Sequence, residues 1–188
     1  AAKEAFAIGK TDAAAGMFAH PVAEVLADMS PVFEERGVEN FNALFADASQ
    51  AVMDGESEDE VDAKFDAIIA ALRNAETKAP DDGTAQPMVA AGVISDQIGR
   101  ANEMYRISAN TDEYEPYLDG FGFYRAAEET FRRSRASIEA ADGELASRIE
   151  SALALLRAAY PGAERPERLD ADRDAMISAH NRIRLSLS

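Results

Sequence analysis

The chain has 188 residues, with 35 acidic against 19 basic side chains and a formal net charge of −16, a length suited to one domain or two small subdomains. At 47% apolar residues it is too hydrophobic to be a disordered acidic tail, and its charge repels nucleic-acid phosphates and anionic membrane surfaces alike. It contains no cysteine, which excludes disulfide scaffolds, thiolate metal sites and cysteine nucleophiles together.

Ala1-Ala2-Lys3-Glu4-Ala5-Phe6 is charged and periodic from its first turn. A secreted chain has this look once its leader has been cleaved after small residues, and a trimmed terminus has it too. The expectation is therefore a periplasmic or secreted protein, with a cytoplasmic setting left open. No apolar run approaches the roughly 20 residues that a membrane span needs.

The 39 alanines, with abundant Leu, Glu and Arg, favour helix throughout, and no stretch alternates long enough for a strand. Short helices are expected near 2–8 and 11–18. Val22, Val25, Leu26, Met29 and Phe33 then mark one apolar helix face; Phe41, Leu44, Phe45, Ala48 and Val52 mark a second. Val61, Phe65, Ile68, Ile69 and Leu72 mark a third, opened by the capping-box pair Ser57 and Glu60. Lys78-Ala79-Pro80-Asp81-Asp82-Gly83-Thr84-Ala85-Gln86-Pro87 breaks the pattern. Helices are expected after it at 88–109, 116–140, 143–158 and 168–186, the last three on either side of a second break at Tyr160-Pro161-Gly162. The prediction is a single all-α domain, an antiparallel bundle of two packed half-bundles of three to four helices. Their expected limits are 1–79 and 87–188, joined by a Pro/Gly/Asp linker at 80–86.

Charge is divided unevenly. Residues 1–90 hold 18 acids and 6 bases, and all four lysines; every basic residue after Lys78 is an arginine. His20 and Glu24 are spaced to share a helix face, and Asp28 continues the row. Imidazole and carboxylates on one face suit a divalent or trivalent metal that accepts mixed nitrogen and oxygen ligands, and with no cysteine any metal here must be held by oxygen and imidazole. Further ligands would have to come from another helix. The plain alternative is a solvated acidic face beside a His-Pro helix start.

Residues 114–129 concentrate Tyr114, Tyr117, Phe121, Phe123 and Tyr124 around Gly120 and Gly122. Two glycines among aromatics imply close helix–helix approach or a kink. Tyr117, Asp119, Tyr124 and Glu128 could line a polar ligand pocket; the competing reading is an aromatic core whose hydroxyls reach a polar edge. Arg132, Arg133 and Arg135 form the one basic cluster, most simply ion-paired to neighbouring glutamates, with a phosphate or carboxylate clamp requiring a pocket. With two histidines and neither a phosphate loop nor a nucleophile elbow, no catalytic residue stands out, and a non-enzymatic role is expected.

His20-Pro21-Val22-Ala23-Glu24-Val25-Leu26-Ala27-Asp28-Met29-Ser30-Pro31-Val32-Phe33-Glu34-Glu35-Arg36 resembles a helix of imelysin-like proteins. In that family Pro-Val-Ala-Glu is followed by an acidic residue, a proline and an arginine at similar spacing. Gly122-Phe123-Tyr124-Arg125-Ala126-Ala127-Glu128 is similar to its Gly-x-His-x-x-Glu hallmark, with tyrosine for histidine and the glutamate displaced by one residue. The resemblance implies an all-helical, two-half, extracytoplasmic protein that binds a metal ion or metal complex in iron uptake and works with a membrane permease. The second reading of the sequence is a structural or protein-interaction module, whose acidic half docks onto a basic partner or whose bundle self-associates.

Overall fold

A computed structural model describes residues 1–188, and the alanine-rich segments fold as helices with no strand. The helices are α1 (Ala2–Ala7), α2 (Thr11–Pro21), α3 (Ala27–Glu35), α4 (Asn42–Asp54), α5 (Glu58–Glu76), α6 (Gln86–Ser108), α7 (Glu115–Ala141), α8 (Gly143–Ala159) and α9 (Arg173–Ser186). A single π-helical turn, Val22–Leu26, joins α2 to α3 without a break. The fold is all-α with antiparallel helix packing, as the periodicity predicts. The chain divides into two compact units, Ala1–Asp82 and Gly83–Ser188, so the division falls inside the Pro/Gly/Asp stretch.

In the first unit, α2 packs on α1 and α4, and α5 packs on α4 and α1. Its core is small: Ala14, Ala15 and Phe18 of α2 are buried, as are Phe45, Ala48, Ala51 and Val52 of α4 and Val61 and Ile68 of α5. The expected capping box is present, with Glu60 N–H donating to Ser57 Oγ at 3.4 Å and Ser57 N–H donating to Glu60 Oε2 at 2.9 Å. The sequence places a helix start at His20-Pro21, whereas the helix runs through it. Pro21 has no N–H to donate, and its ring crowds the carbonyl four residues back. The helix answers with a widened turn in which Ala27 N–H reaches Val22 O, and regular geometry resumes at α3.

In the second unit, α6 lies along α7, α8 runs back against α7, and α9 contacts both α6 and α8. Ile94, Ile98, Leu118, Ile138, Leu145, Ile149, Leu156 and Ile183 are fully buried between them. Residues 160–172 form no helix, and tyrosines hold them in place. Tyr160 Oη donates to Ala101 O, Tyr117 Oη to Gly162 O and Tyr114 Oη to Ala163 O, each at 2.8 Å. Ala171 N–H donates to Tyr105 Oη at 2.9 Å, and Arg165 Nη2 donates to Thr111 O at 2.9 Å and to Ser108 O at 3.2 Å. With this backbone committed to side chains, α9 begins at Arg173 rather than near 168, behind the Asp172 cap that accepts from Ala175 N–H at 2.9 Å.

The expected close approach around the α7 glycines occurs at Gly120. A Cβ there would overlap Tyr160 Oη and lie 2.6 Å from Tyr160 Cζ and 2.9 Å from Met104 Cβ. Both neighbours are fixed by the core, so the methyl group has nowhere to go. Gly120→Ala should therefore lower the unfolding free energy by about 3 kcal/mol or more, against under about 1 kcal/mol for Gly143→Ala at an open helix start. Urea denaturation of the two variants checks this; equal midpoints would show that Gly120 is not a packing requirement.

Candidate functional site

His20, Glu24 and Asp28 lie on the α2–π–α3 helix, with His20 partly buried and Glu24 and Asp28 exposed. The His20 ring folds back over Gly16, whose position for a Cβ is 3.6 Å from His20 Nε2. Helical side chains lean toward the N-terminus in this way. The ring thus leans one turn away from Glu24, and the π turn between them disturbs the four-residue alignment that the row depends on. No group of three or more His, Asp or Glu side chains in the chain converges where a metal ion could be held. Within this chain His20, Glu24 and Asp28 fall short of the ligand number that a metal site requires.

Tyr117, Asp119, Tyr124 and Glu128 all lie on α7 but serve different neighbours. Tyr117 is fully buried and spends its hydroxyl on Gly162 O. Burial raises its pKa despite that hydrogen bond, and burial raises those of Tyr105, Tyr114, Tyr124 and Tyr160 as well. The Asp119 charge adds to the upward push on Tyr160. These phenols stay protonated at neutral pH; Tyr114, Tyr117, Tyr124 and Tyr160 donate and Tyr105 accepts, a form that suits a polar scaffold rather than a phenolate metal ligand.

Tyr124 and Glu128 do meet, and an arginine from α8 joins them. Tyr124 Oη donates to Glu128 Oε1 at 2.8 Å, Arg157 Nη2 donates to the same oxygen at 2.6 Å, and Arg157 Nε donates to Tyr124 Oη at 3.3 Å. Arg125 donates to the other oxygen of Glu128. Burial opposes the charged form of Glu128, but the hydrogen bonds from Arg157 and Tyr124 and the Arg125 charge outweigh it, leaving the carboxyl below the ordinary range. The same contacts raise Arg157, Glu128 contributing most.

This triad is one end of a cleft of about 490 Å³ between α7 and α8. At its other end Arg132 forms a two-pronged pair with Glu129 at 2.7 and 2.8 Å, and Arg135 reaches Glu150 of α8 at 2.9 Å. Phe131 and Leu153, both buried, and Ala154 line the wall, and the Arg135 guanidinium stands 5.6 Å from the Phe131 ring centroid. The sequence shows the 132–135 cluster. It cannot show that Arg125 and Arg157, on different helices, converge on Glu128; only the α7–α8 register brings them together. A smaller hollow of about 190 Å³ lies between α6 and α9, against His180, Met176 and Asn102. His180 Nε2 is 3.3 Å from Ser95 Oγ, and burial, with Arg184 nearby, lowers its pKa, which keeps the ring neutral.

In the first unit, α3 has no buried residue. Val25, Met29 and Val32 are 53%, 37% and 43% exposed, although two of the three belong to the apolar face that the spacing assigns to the core. Beside them is a hollow of about 300 Å³ lined by Leu26, Phe33, Val38 and Phe41. Comparison with protein-family models, with curated proteins and with solved structures finds no match for this chain.

The depressed Glu128 pKa has a consequence for stability with a definite sign. A carboxyl held below its unfolded value contributes stability at pH values above the ordinary carboxylate range and loses it as pH falls through the folded value. Native protein should therefore exceed Glu128→Gln by about 1 kcal/mol near pH 7, with the gap closing below about pH 4. Denaturant titrations at several pH values check it; a gap that widens in acid would contradict the assignment.

Proposed function

We propose that the chain is a non-enzymatic helical protein that works by docking, through its acidic first unit, onto a basic amphipathic helix of a partner. The observation that carries this reading is the stretch from the π turn through α3: α3 buries none of its residues, and Val25 of the turn joins Met29 and Val32 of α3 in facing solvent. A nine-residue helix has little stability of its own, so an uncovered apolar stripe is a surface for association. Glu24, Asp28 and Glu35 lie along one side of the stripe, and the unit holds 18 acids against 6 bases. A helix with an apolar ridge and lysine or arginine edges complements that pattern, and the hollow lined by Leu26, Phe33 and Phe41 can take one of its apolar side chains.

The full-length chain titrated into a labelled leucine/lysine amphipathic peptide should give saturable anisotropy that weakens as salt rises. A Val25→Asp/Met29→Asp variant should bind about tenfold or more weakly with unchanged helicity and melting temperature, since those side chains are already exposed. Binding no tighter than to a leucine/glutamate peptide, or unaffected by the substitutions, would refute the proposal.

The resemblance to imelysin-like proteins supports a second reading, extracytoplasmic metal capture in iron uptake. Glu24 and Asp28 stand exposed on the same helix as the docking stripe, so a partner such as a permease would complete the ligand set that His20, Glu24 and Asp28 begin. In calorimetric titration with iron or zinc, the native chain, holding only part of the set, should still give more heat than a His20→Ala/Glu24→Ala variant; equal heats for the two would rule it out.

A further inference from the structure

The cleft between α7 and α8 carries an inference that is independent of the docking surface. Its arginines fall into two groups. Arg125 and Arg157 converge on Glu128 at one end, while Arg132 and Arg135 stand beside Glu129 and Glu150 at the other. Arg125 and Arg132 are seven residues apart on one helix, so the two groups are separated by roughly 10 Å along its axis. Between them the wall is apolar, formed by Phe131, Leu153 and Ala154.

Four arginines against three glutamates make this cleft locally positive in a chain whose net charge is −16. Each guanidinium has five N–H donors in a fixed fork, more than three carboxylates can saturate. The glutamates hold the forks in place, so an incoming anion meets donors that are already oriented. The volume, about 490 Å³, falls within the range of small-molecule sites.

We propose that the α7–α8 cleft binds an elongated organic dicarboxylate with a flat apolar body. One carboxylate would sit on Arg125 and Arg157, the other on Arg132 and Arg135, with the body against Phe131 and Leu153. A compact anion reaches only one end, and a monoacid leaves one arginine group unused.

The test uses the full chain and three probes in calorimetry at low salt: biphenyl-4,4′-dicarboxylate, biphenyl-4-carboxylate and inorganic phosphate. The dicarboxylate should bind saturably with one site and about tenfold or more tighter than either of the others. Arg132→Gln and Arg157→Gln, at opposite ends, should each reduce its affinity to near that of the monoacid, while Arg168→Gln, in the 160–172 segment, should not change it. Arg132 is 72% exposed, so its substitution leaves the core intact, and circular dichroism confirms that the variants are folded. No saturable dicarboxylate binding, equal affinity for the monoacid or phosphate, or indifference to Arg132→Gln would each overturn the proposal.

Discussion

The second unit depends on a phenol ring set against a helix that has no side chain at that point. Tyr160 reaches past Gly120 to donate to Ala101 O, and its ring meets Tyr105 edge-on at 5.5 Å and Tyr117 at 5.2 Å. One side chain from the end of α8 thereby fixes α6 against α7 and starts the irregular segment that carries the chain to α9. Such aromatic contacts each contribute about 0.5–1.5 kcal/mol beyond the area they bury. Their greater effect is positional. The Tyr124 ring lies parallel to Tyr160 at 6.4 Å, and its hydroxyl donates to Glu128, which in turn holds Arg157. The Glu128 end of the arginine cleft is thus anchored in the aromatic core through a continuous line of contacts, while ion pairs to Glu129 and Glu150 hold the other end.

The first unit has no comparable anchor. Five of its thirteen buried residues are alanines, which allow close helix approach but bury little area per residue. Pro21 and Pro31 each remove a helical hydrogen bond from the segment that also buries least. Low local burial and interrupted hydrogen bonding mark a region that opens easily, the kind of region from which binding elements are drawn. The exposure of Val25 and Met29 is then consistent with the local physics of a helix that needs a second surface to complete it.

Helix positions were legible because each rests on local chemistry. The Ser57–Glu60 box, the Pro/Gly breaks and the three-four spacing of apolar residues are all readable within a few turns. Local reading failed where a distant group decides the outcome. The onset of α9 depends on Tyr105 taking the Ala171 N–H from 66 residues away, and no local pattern encodes that. Spacing put Val25 and Met29 on an apolar face but could not say whether anything covers it. For the candidate sites, the importance of Gly120 showed in the sequence as a glycine that helix propensity disfavours, whereas the Arg157–Glu128 pairing, 29 residues apart, needed the helix register. His20 and Glu24 share a helix as their spacing requires, and the unforeseen π turn alters what that spacing means.

The partition of basic residues follows the same division of labour. Lysine carries a compact charge on a flexible stem, and the first unit uses it to bridge elements: Lys3 reaches Asp62 at 2.8 Å and stands 5.0 Å from the Phe65 ring, and Lys78 donates to Gly37 O. Arginine carries a planar fork, and the second unit uses it at Glu129, where Nε and Nη2 of Arg132 each take one carboxylate oxygen. A lysine at position 132 could keep the charge but not the paired geometry. The exclusive use of arginine after Lys78 therefore matches a unit in which cations position groups, and an oriented set of guanidiniums beside an apolar wall is what the recognition of a second, external carboxylate requires.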